Sequence, residues 1–196
     1  MAGVIGLSIP SVSAWFRWAT PFQLLLTAGL LLYFHRDGRR LFWGWTGFTV
    51  AFGYLIEVVG VHTSLIFGDY AYGSTLGFKV LEVPPVIGIN WFIMAYTSGI
   101  VAYRLPLPRY VQIPVAAMLM VGSDFLIEPV AIRHDFWAWS TTTVPLHNYV
   151  GWLVSALFLQ ALFFALPFRK DNALARYVFF IQLAFFATLL LIDQTI

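Results

Sequence analysis

Long apolar stretches separated by short polar connections are the feature that most constrains this chain. Each stretch approaches the ~20 residues that an α-helix needs to cross a bilayer. The predicted spans are Trp15–Phe34, Leu41–Val61, Pro84–Tyr103, Tyr110–Ile127, His147–Leu166 and Leu174–Asp193. Only 10% of the 196 residues are charged, whereas soluble domains are roughly 25% charged. The sequence therefore predicts an all-α, polytopic membrane helical bundle of about six transmembrane helices, with residues 1–196 forming a single transmembrane domain.

The three short connections on one side of this topology are basic. They are His35–Arg40, Arg104–Arg109 and Pro167–Ala173. Together with Arg176 they hold eight of the eleven Lys and Arg residues. Because basic connections are retained in the cytoplasm, we expect a multi-pass protein of the cell membrane with both termini on the non-cytoplasmic side. The longer connections His62–Val83 and Glu128–Leu146 are then expected on that outer side.

Several functional classes are disfavoured by composition. The chain has no Cys, which excludes disulfides, thiolate metal sites and a cysteine nucleophile. The stretch from Met1 to Ser13 carries no basic residue, so we expect mature sequence there rather than a cleavable signal peptide. A net charge of +2 spread between apolar spans does not predict nucleic-acid binding. The four histidines form no metal-binding pattern, and no P-loop or dinucleotide fingerprint is present, so we expect neither a metal nor a cofactor.

Acidic residues inside the apolar stretches are the main candidates for function, because a charge within hydrocarbon is costly and turns toward protein or water. Counted at 1.5 Å per residue from the cytoplasmic ends, Glu57 and Asp124 lie about 22–26 Å up, Asn90 about 21 Å up and Asp193 about 30 Å up. The four residues come from four helices and share the outer third of a core ~30 Å thick. This coincidence predicts one pocket that opens toward the outer face.

Asp124 and Glu128 are four residues apart, so both carboxyls lie on one side of the fourth span. Like charges at that separation repel, and we expect one of the pair to hold its proton. A neutral acid near an ionised base is the arrangement that general acid–base catalysis needs. Glu57 and Asp124 are the strongest catalytic candidates, because each lies a turn or more inside an apolar run.

Several of these polar residues also have a purely structural interpretation. Glu128 precedes a proline and could mark the end of a helix exposed to water, and Asp69 fits a turn closed through its backbone. Asp193 lies close to the last residue and could be solvated. Asn90 and Asn148 could serve only as hydrogen-bond partners between helices. For Asp69 the turn is the favoured interpretation.

Two blocks of the sequence resemble a known family. The first block contains Glu57-Val58-Val59-Gly60-Val61-His62-Thr63, Phe67-Gly68-Asp69-Tyr70-Ala71-Tyr72, Leu76-Gly77, Val83-Pro84 and Asn90-Trp91. The second contains Asp124, Glu128-Pro129-Val130-Ala131, Trp137-Ala138-Trp139 and Val144-Pro145-Leu146-His147-Asn148-Tyr149-Val150-Gly151-Trp152. Residues 57–152 thus resemble the membrane carotenoid-biosynthesis family, which includes bisanhydrobacterioruberin hydratase and gamma-carotene hydratase. From the family pattern we expect Thr-Gly where this chain has Thr63-Ser64.

The resemblance implies a hydratase that adds water to the terminal double bond of an acyclic carotenoid and gives a tertiary alcohol. Such a reaction starts when a carboxylic acid protonates the less substituted carbon, and water then captures the tertiary carbocation. Aromatic faces stabilise a cation of this kind. The expected partners are the acyclic carotenoid substrate, the lipid bilayer and other carotenoid-biosynthesis enzymes, and no nucleic acid.

The predicted catalytic residues are Glu57, Asp124 and Glu128. Glu57 and Asp124 would be the acid and the water-orienting base, in either order, with Glu128 adjusting Asp124. The residues predicted to bind substrate or water are Asp69, Tyr70, Tyr72, Asn90, Trp91, His147, Asn148 and Trp152. The two amides and the histidine would hold the water, and the aromatic rings would face the cation or simply pack. Trp137 and Trp139 are explained equally well as interface aromatics.

Two other classes of function compete with the hydratase. A carotenoid-binding or assembly protein would hold the pigment unchanged and use the acids only as hydrogen-bond acceptors. A proton-coupled transporter would use Glu57 and Asp124 as relay groups and would need polar residues that continue toward the cytoplasm. The cytoplasmic halves of the predicted spans are almost wholly apolar in sequence, so the transporter ranks last.

Overall fold

The protein is described by a computed structural model that covers residues 2–193, and there the chain forms seven helices and one two-stranded sheet. In chain order these are α1 (Ala2–Ser8), α2 (Pro10–Tyr33), α3 (Arg40–Thr63), β1 (Tyr70–Tyr72), α4 (Val86–Tyr103), α5 (Arg109–Arg133), β2 (Trp137–Trp139), α6 (Leu146–Ala165) and α7 (Ala173–Asp193). The predicted all-α class is confirmed. The side chain of Asp193, one of the predicted acids, lies outside the described residues.

Five of these helices, α3 to α7, are long and apolar enough to cross a membrane. The helix α2 has 24 residues, but Arg17 and several polar residues in its first half lower its mean hydropathy. Each of the six predicted spans coincides with one helix, and their ends differ by at most six residues. The chain is therefore a multi-pass membrane protein, while the number of six spans and the outer position of the termini stay predictions.

The three basic connections meet at one end of the bundle. The backbone N–H of Arg169 donates to the Asp37 carboxylate at 2.5 Å, which joins the third basic connection to the first. Arg104 pairs with Asp171 at 2.5 Å, which joins the second to the third. The Arg169 N–H holds the pKa of Asp37 below its ordinary value. The structure thus places on one side all the connections that the topology predicts to share it.

The two long connections meet at the opposite end and form an antiparallel sheet. Its register pairs Tyr70 with Trp139 and Tyr72 with Trp137. Successive side chains of a strand point to opposite faces, so these four aromatic side chains share the face toward the helices, where Tyr70, Tyr72 and Trp137 are buried. We call residues 67–76 and 134–140 the cap. The cap closes this end of the bundle with an aromatic inner face.

Hydrogen bonds between its two segments fix the cap. The Asp135 carboxylate accepts from the Ser74 backbone N–H at 2.9 Å and from the Ser74 hydroxyl at 2.7 Å. These two donors keep the pKa of Asp135 below its ordinary value. At the other end of the strand pair, the Ser140 backbone N–H donates to the Asp69 carbonyl at 3.0 Å. The inward aromatic side chains are therefore held by hydrogen bonds at both ends of the strand pair.

Small residues allow α3 and α4 to approach closely, as is common between membrane helices. A Cβ added at Gly53 would lie 2.3 Å from the Trp91 Cβ, and one added at Gly88 would lie 2.4 Å from the Val50 carbonyl oxygen. Both distances are shorter than any ordinary contact. This close packing brings the Trp91 indole beside Glu57, one helical turn above Gly53.

The backbone conformation at the C-terminal end of α3 explains why the family pattern has glycine where this chain has Ser64. Ser64 caps the helix with φ of +54° and ψ of +10°, and its N–H donates to the Gly60 carbonyl at 2.8 Å. Left-handed backbone of this kind favours glycine, because a side chain crowds the following carbonyl. Ser64 therefore adopts a conformation for which the glycine expected from the family pattern is better suited.

The half of the bundle near the basic connections contains buried polar side chains, although we expect the spans to be almost wholly apolar there. Thr49, Thr97, Ser98 and Gln160 are all buried there. Thr97 and Ser98 each donate at 2.7 Å to a carbonyl of their own helix, one turn earlier. Gln160 Nε2 donates to the Ala95 carbonyl at 2.8 Å and so joins α6 to α4. These bonds are typical of helix packing in membranes.

Candidate active site

The three predicted catalytic carboxyls line one small cavity beneath the cap. Glu57, Asp124 and Glu128 are each exposed by 3% or less, and they come from α3 and α5. The space open to the centre of a water molecule is about 20 Å³, enough for one ordered water. The other lining residues are Phe67, Tyr70, Tyr72, Ile87, Asn90, Ile127, Trp137, Trp139, Asn148 and Trp152. We call this space the acid cavity.

Glu57 accepts hydrogen bonds on both carboxyl oxygens. Its Oε2 accepts from the Tyr70 hydroxyl at 2.5 Å and from the Tyr72 hydroxyl at 2.8 Å. Its Oε1 accepts from the Trp91 indole N–H at 2.9 Å. An ionised carboxylate is purely an acceptor with about four lone-pair positions, so three donors leave one position free, on Oε1. This pattern suits an ionised Glu57.

The two tyrosine hydroxyls are protonated and can donate to Glu57. Burial raises the pKa of the Tyr70 and Tyr72 hydroxyls, and the neighbouring Glu57 carboxyl raises it further. Both hydroxyls therefore keep their protons. The Tyr-x-Tyr spacing places the two rings on one face of β1, which is why a single carboxyl receives both hydroxyls.

Glu128 is also surrounded by donors. Its Oε2 accepts from the indole N–H groups of Trp137 at 2.9 Å and Trp139 at 3.0 Å, and its Oε1 accepts from Asn148 Nδ2 at 3.2 Å. An indole N–H can only donate. The interpretation of Glu128 as an exposed helix end is wrong, because α5 continues through Pro129 and Glu128 is 2% exposed. Membrane helices tolerate such a proline where neighbouring groups satisfy the backbone.

Asp124 has the fewest hydrogen bonds of the three carboxyls. Its Oδ2 accepts from Asn148 Nδ2 at 3.2 Å, and the same amide nitrogen reaches Glu128 Oε1 at 3.2 Å. The two N–H bonds of Asn148 thus bridge Asp124 and Glu128. Within residues 2–193, no other protein donor reaches the Asp124 carboxyl, which lines the acid cavity. Asn148 therefore joins α6 to α5 through two acids that lie one turn apart.

Trp152 presents an aromatic face to the acid cavity, and Trp91 supports it from behind. The two rings stack with centroids 4.1 Å apart and an angle of 8° between their planes. Trp152 lines the cavity, whereas Trp91 is fully buried and uses its N–H on Glu57. Of the aromatic residues predicted to face a cation, Tyr70, Tyr72 and Trp152 line the cavity, and Trp91 lies behind Trp152. Asn90 also lines the cavity.

Besides Trp91, two residues predicted to bind substrate or water do not line the acid cavity. Asp69 is exposed, and its backbone carbonyl accepts from Ser140 on the other segment of the cap. His147 is also exposed, next to the buried Asn148. Adjacent residues of a helix point about 100° apart, so only one of the two faces the cavity. The amide takes that position.

Trp137 and Trp139 also line the acid cavity, although the sequence alone explains them equally well as interface aromatics. The signal that could have found them is their spacing, since Trp-x-Trp in a strand places two indole donors on one face. The same spacing occurs in Tyr70 and Tyr72, the partners of this strand. As for metals, among the side chains that the structure describes, in residues 2–192, no three His, Asp or Glu lie close enough together to hold one ion.

Comparison with known proteins identifies the family. Residues 19–195 match the model of a family described as carotenoid biosynthesis protein. The chain belongs to this family. It is also similar to bisanhydrobacterioruberin hydratase of Haloarcula japonica, with 28% identity over 120 residues that cover 57% of this chain and 41% of that protein. The match thus spans less than half the length of this curated relative. No solved structure matches the chain significantly.

Membership agrees with the resemblance drawn from residues 57–152. The matched range extends well beyond both motif blocks and takes in every helix from α3 to α7 and most of α2. All the residues that form the acid cavity lie within it. The carotenoid biosynthesis family is therefore the context in which the chemistry of this cavity has to be understood.

Proposed function

We propose that this member of the carotenoid biosynthesis family is a carotenoid hydratase, a hydro-lyase that works without a cofactor. It adds water to the terminal carbon–carbon double bond of an acyclic carotenoid and gives a tertiary alcohol. The observation that carries this proposal is the acid cavity, in which three buried carboxyls surround room for one water. The name of the Haloarcula japonica relative, a hydratase, supports the same class of reaction.

The reaction needs a proton donor, a base and a water, and the atoms balance without any other reactant. A carboxylic acid transfers its proton to the less substituted alkene carbon, and the π electrons form the new C–H bond. The tertiary carbocation then forms a C–O bond to water. A base removes one proton from the resulting oxonium, and proton return to the first carboxylate restores the enzyme. Positioned acids and bases typically contribute 10²–10⁴-fold to such steps.

Asp124 is the proton donor in this proposal. Glu57 and Glu128 each receive three donors, which suits ionised carboxylates. Asp124 receives a single long hydrogen bond at 3.2 Å, so one of its oxygens can carry a proton toward the cavity. Repulsion from an ionised Glu128 one turn away also favours a neutral Asp124. This difference in hydrogen bonding supports Asp124 as the acid and Glu57 as the base.

Glu57 is the base that orients the water. Three donors occupy three of its lone-pair positions, and the remaining position on Oε1 can accept from a water in the cavity. The Asn90 and Asn148 side chains line the same space and can hold the water on its other sides. Glu128 stays ionised under its two indole donors and acts on Asp124 through the shared Asn148.

The Trp152 ring stabilises the carbocation. It lines the acid cavity and lies flat against Trp91, which fixes the orientation of its electron-rich face. A cation over the face of Trp gains about 2 kcal/mol or more when both are shielded from water. The rings of Tyr70 and Tyr72 complete the wall on the side of Glu57.

The acid cavity lies at the end of the bundle opposite to the basic connections. The positive-inside rule supports an active site that opens toward the non-cytoplasmic face of the cell membrane. The proposed protein is a single transmembrane domain, residues 1–196. It would take its substrate from the bilayer and work beside other carotenoid-biosynthesis enzymes.

Expression in a host that accumulates an acyclic carotenoid tests the proposal. The wild-type chain should yield a more polar product, heavier by one water, measured by chromatography and mass spectrometry. Asp124→Asn and Glu57→Gln should abolish it, and Glu82→Gln should not, because Glu82 is an exposed acid outside the cavity. Conversion by both cavity variants would overturn the site assignment. Pigment bound without addition of water would favour the binding or assembly protein.

A further inference from the structure

A second, larger cavity adjoins the acid cavity on the side of α2 and α7. Its volume is about 510 Å³, within the range of small-molecule sites. Representative lining residues are Phe16, Ala19, Thr20, Leu24, Ile181 and Phe185. Ile87, Asn90, Ile127 and Trp137 line both spaces. We call the larger space the apolar cavity, and these four shared residues are all that lies between it and the acid cavity at this point.

The apolar cavity is elongated along the helix axes. On α2 its lining runs from Phe16 to Thr27, which is about 17 Å at 1.5 Å per residue. On α7 it runs from Val178 to Phe186, about 12 Å on the same measure. A slot of this shape fits an extended chain that lies parallel to the helices rather than a compact ligand.

The slot stays open because α2 packs sparsely on the bundle. Only Ala28 and Leu31 of its 24 residues are buried, and the small Ala19 and Thr20 face the cavity. Polar groups in the lining satisfy one another. Gln23 Nε2 donates to the Thr27 hydroxyl at 2.9 Å, for example. The walls therefore favour an apolar occupant.

The slot also meets the bilayer directly. Ile181 of α7 lines the apolar cavity and is 66% exposed. A lining side chain with this exposure indicates that the cavity is open to the exterior beside α7. A chain dissolved in the membrane can enter there without passing through water.

We propose that the apolar cavity binds the isoprenoid chain of the substrate lengthwise between α2 and α7. The terminal double bond then passes Asn90 and Trp137 and reaches Asp124. This inference rests on the proposed function and assigns the substrate a binding site. The acid cavity has room for about one water, so the rest of a long polyene has to lie in another space, and the apolar cavity shares four lining residues with it.

Steric fit decides binding in this slot. A polyene that leaves lipid for protein gains nothing from exclusion of water, because lipid tails are as apolar as the cavity walls. Binding then depends on van der Waals packing, which a larger side chain in the slot disrupts. Overfilling a packed site typically costs enough to weaken binding roughly tenfold.

Retention of pigment measures this binding without relying on turnover. The chain carrying Asp124→Asn is purified in detergent from cells that accumulate an acyclic carotenoid, and the pigment per protein is measured by absorbance. Adding Ala19→Trp should lower retention about tenfold. Adding Leu26→Trp should leave it unchanged, because Leu26 is 64% exposed on α2 and lines neither cavity.

A second blocking variant guards against misfolding. Ile181→Trp places the same bulk at the exposed edge of the slot, where little packing is disturbed, and should reduce retention similarly at an unchanged melting temperature. If both blocking variants retain as much pigment per protein as Leu26→Trp, the inference is overturned. If the unsubstituted chain retains pigment, loses it with Ala19→Trp and never adds water, the binding site stands and the hydratase proposal falls.

Discussion

Removing the Tyr72 hydroxyl tests the charge of Glu57, on which the order of acid and base depends. Tyr72→Phe deletes a donor that lies 2.8 Å from Glu57 Oε2 and keeps the ring that packs in the cap. Tyr72 is only 6% exposed, so bulk water cannot replace the lost donor. Glu57 would keep two of its three donors.

The expected magnitude follows from the acceptor. A hydrogen bond to a charged group contributes about 1.5–3 kcal/mol to stability, and one between neutral groups about 0.5–1.5 kcal/mol. Polar contacts between membrane helices average about 0.6 kcal/mol. Tyr72→Phe should therefore cost about 1.5–3 kcal/mol in the wild-type chain and about 0.6 kcal/mol when Glu57→Gln has removed the charge.

The assay is a double-mutant cycle on the free energy of unfolding, measured by SDS titration in mixed micelles with tryptophan fluorescence. Tyr54→Phe is the matched control, because its hydroxyl donates to the neutral Val80 carbonyl at the same 2.8 Å. Its cost should not depend on Glu57→Gln. If Tyr72→Phe costs the same with and without that substitution, Glu57 is neutral in the folded protein and its role as base is refuted.

Three further predictions concern residues outside the acid cavity. Ser64→Gly should raise the free energy of unfolding by about 1 kcal/mol, since it relieves left-handed backbone, as the same titration would show. Gly53→Ala should displace Trp91 and reduce carotenoid conversion, whereas Gly44→Ala, in open space, should not. Burial lowers the pKa of His35 from 6.5 to about 4, so stability is full above pH 6.5 and falls from there toward pH 4. His35→Gln should reduce that loss in melting curves.

The depth of the acids could be predicted from sequence because helix rise per residue is fixed. Counting residues from the basic connections is enough to place Glu57, Asp124 and Asn90 at one level, and all three line the acid cavity. The count gives the depth of each residue in the membrane but not the direction in which its side chain points around the helix axis. For that reason it does not separate Asn148, which faces the cavity, from the exposed His147.

The donors around Glu128 could not be predicted, because they depend on pairing between distant segments. Trp139 lies opposite Tyr70 in the sheet, 69 positions away in the chain, and short aromatic segments alone do not reveal such pairing. The end of the fourth span was also misplaced, since Pro129 does not end α5. Whether a helix continues through a proline depends on neighbouring groups in the packed bundle. Those groups are not part of the local sequence.

The central claim is that Asp124 delivers a proton to the terminal alkene. The most direct test is conversion of an acyclic carotenoid in heavy water, with deuterium in the product located by mass spectrometry and NMR. The wild-type chain should place one non-exchangeable deuterium on the carbon next to the new tertiary alcohol, and Asp124→Asn should yield no such product. Labelled alcohol formed by Asp124→Asn at the wild-type rate would contradict the claim.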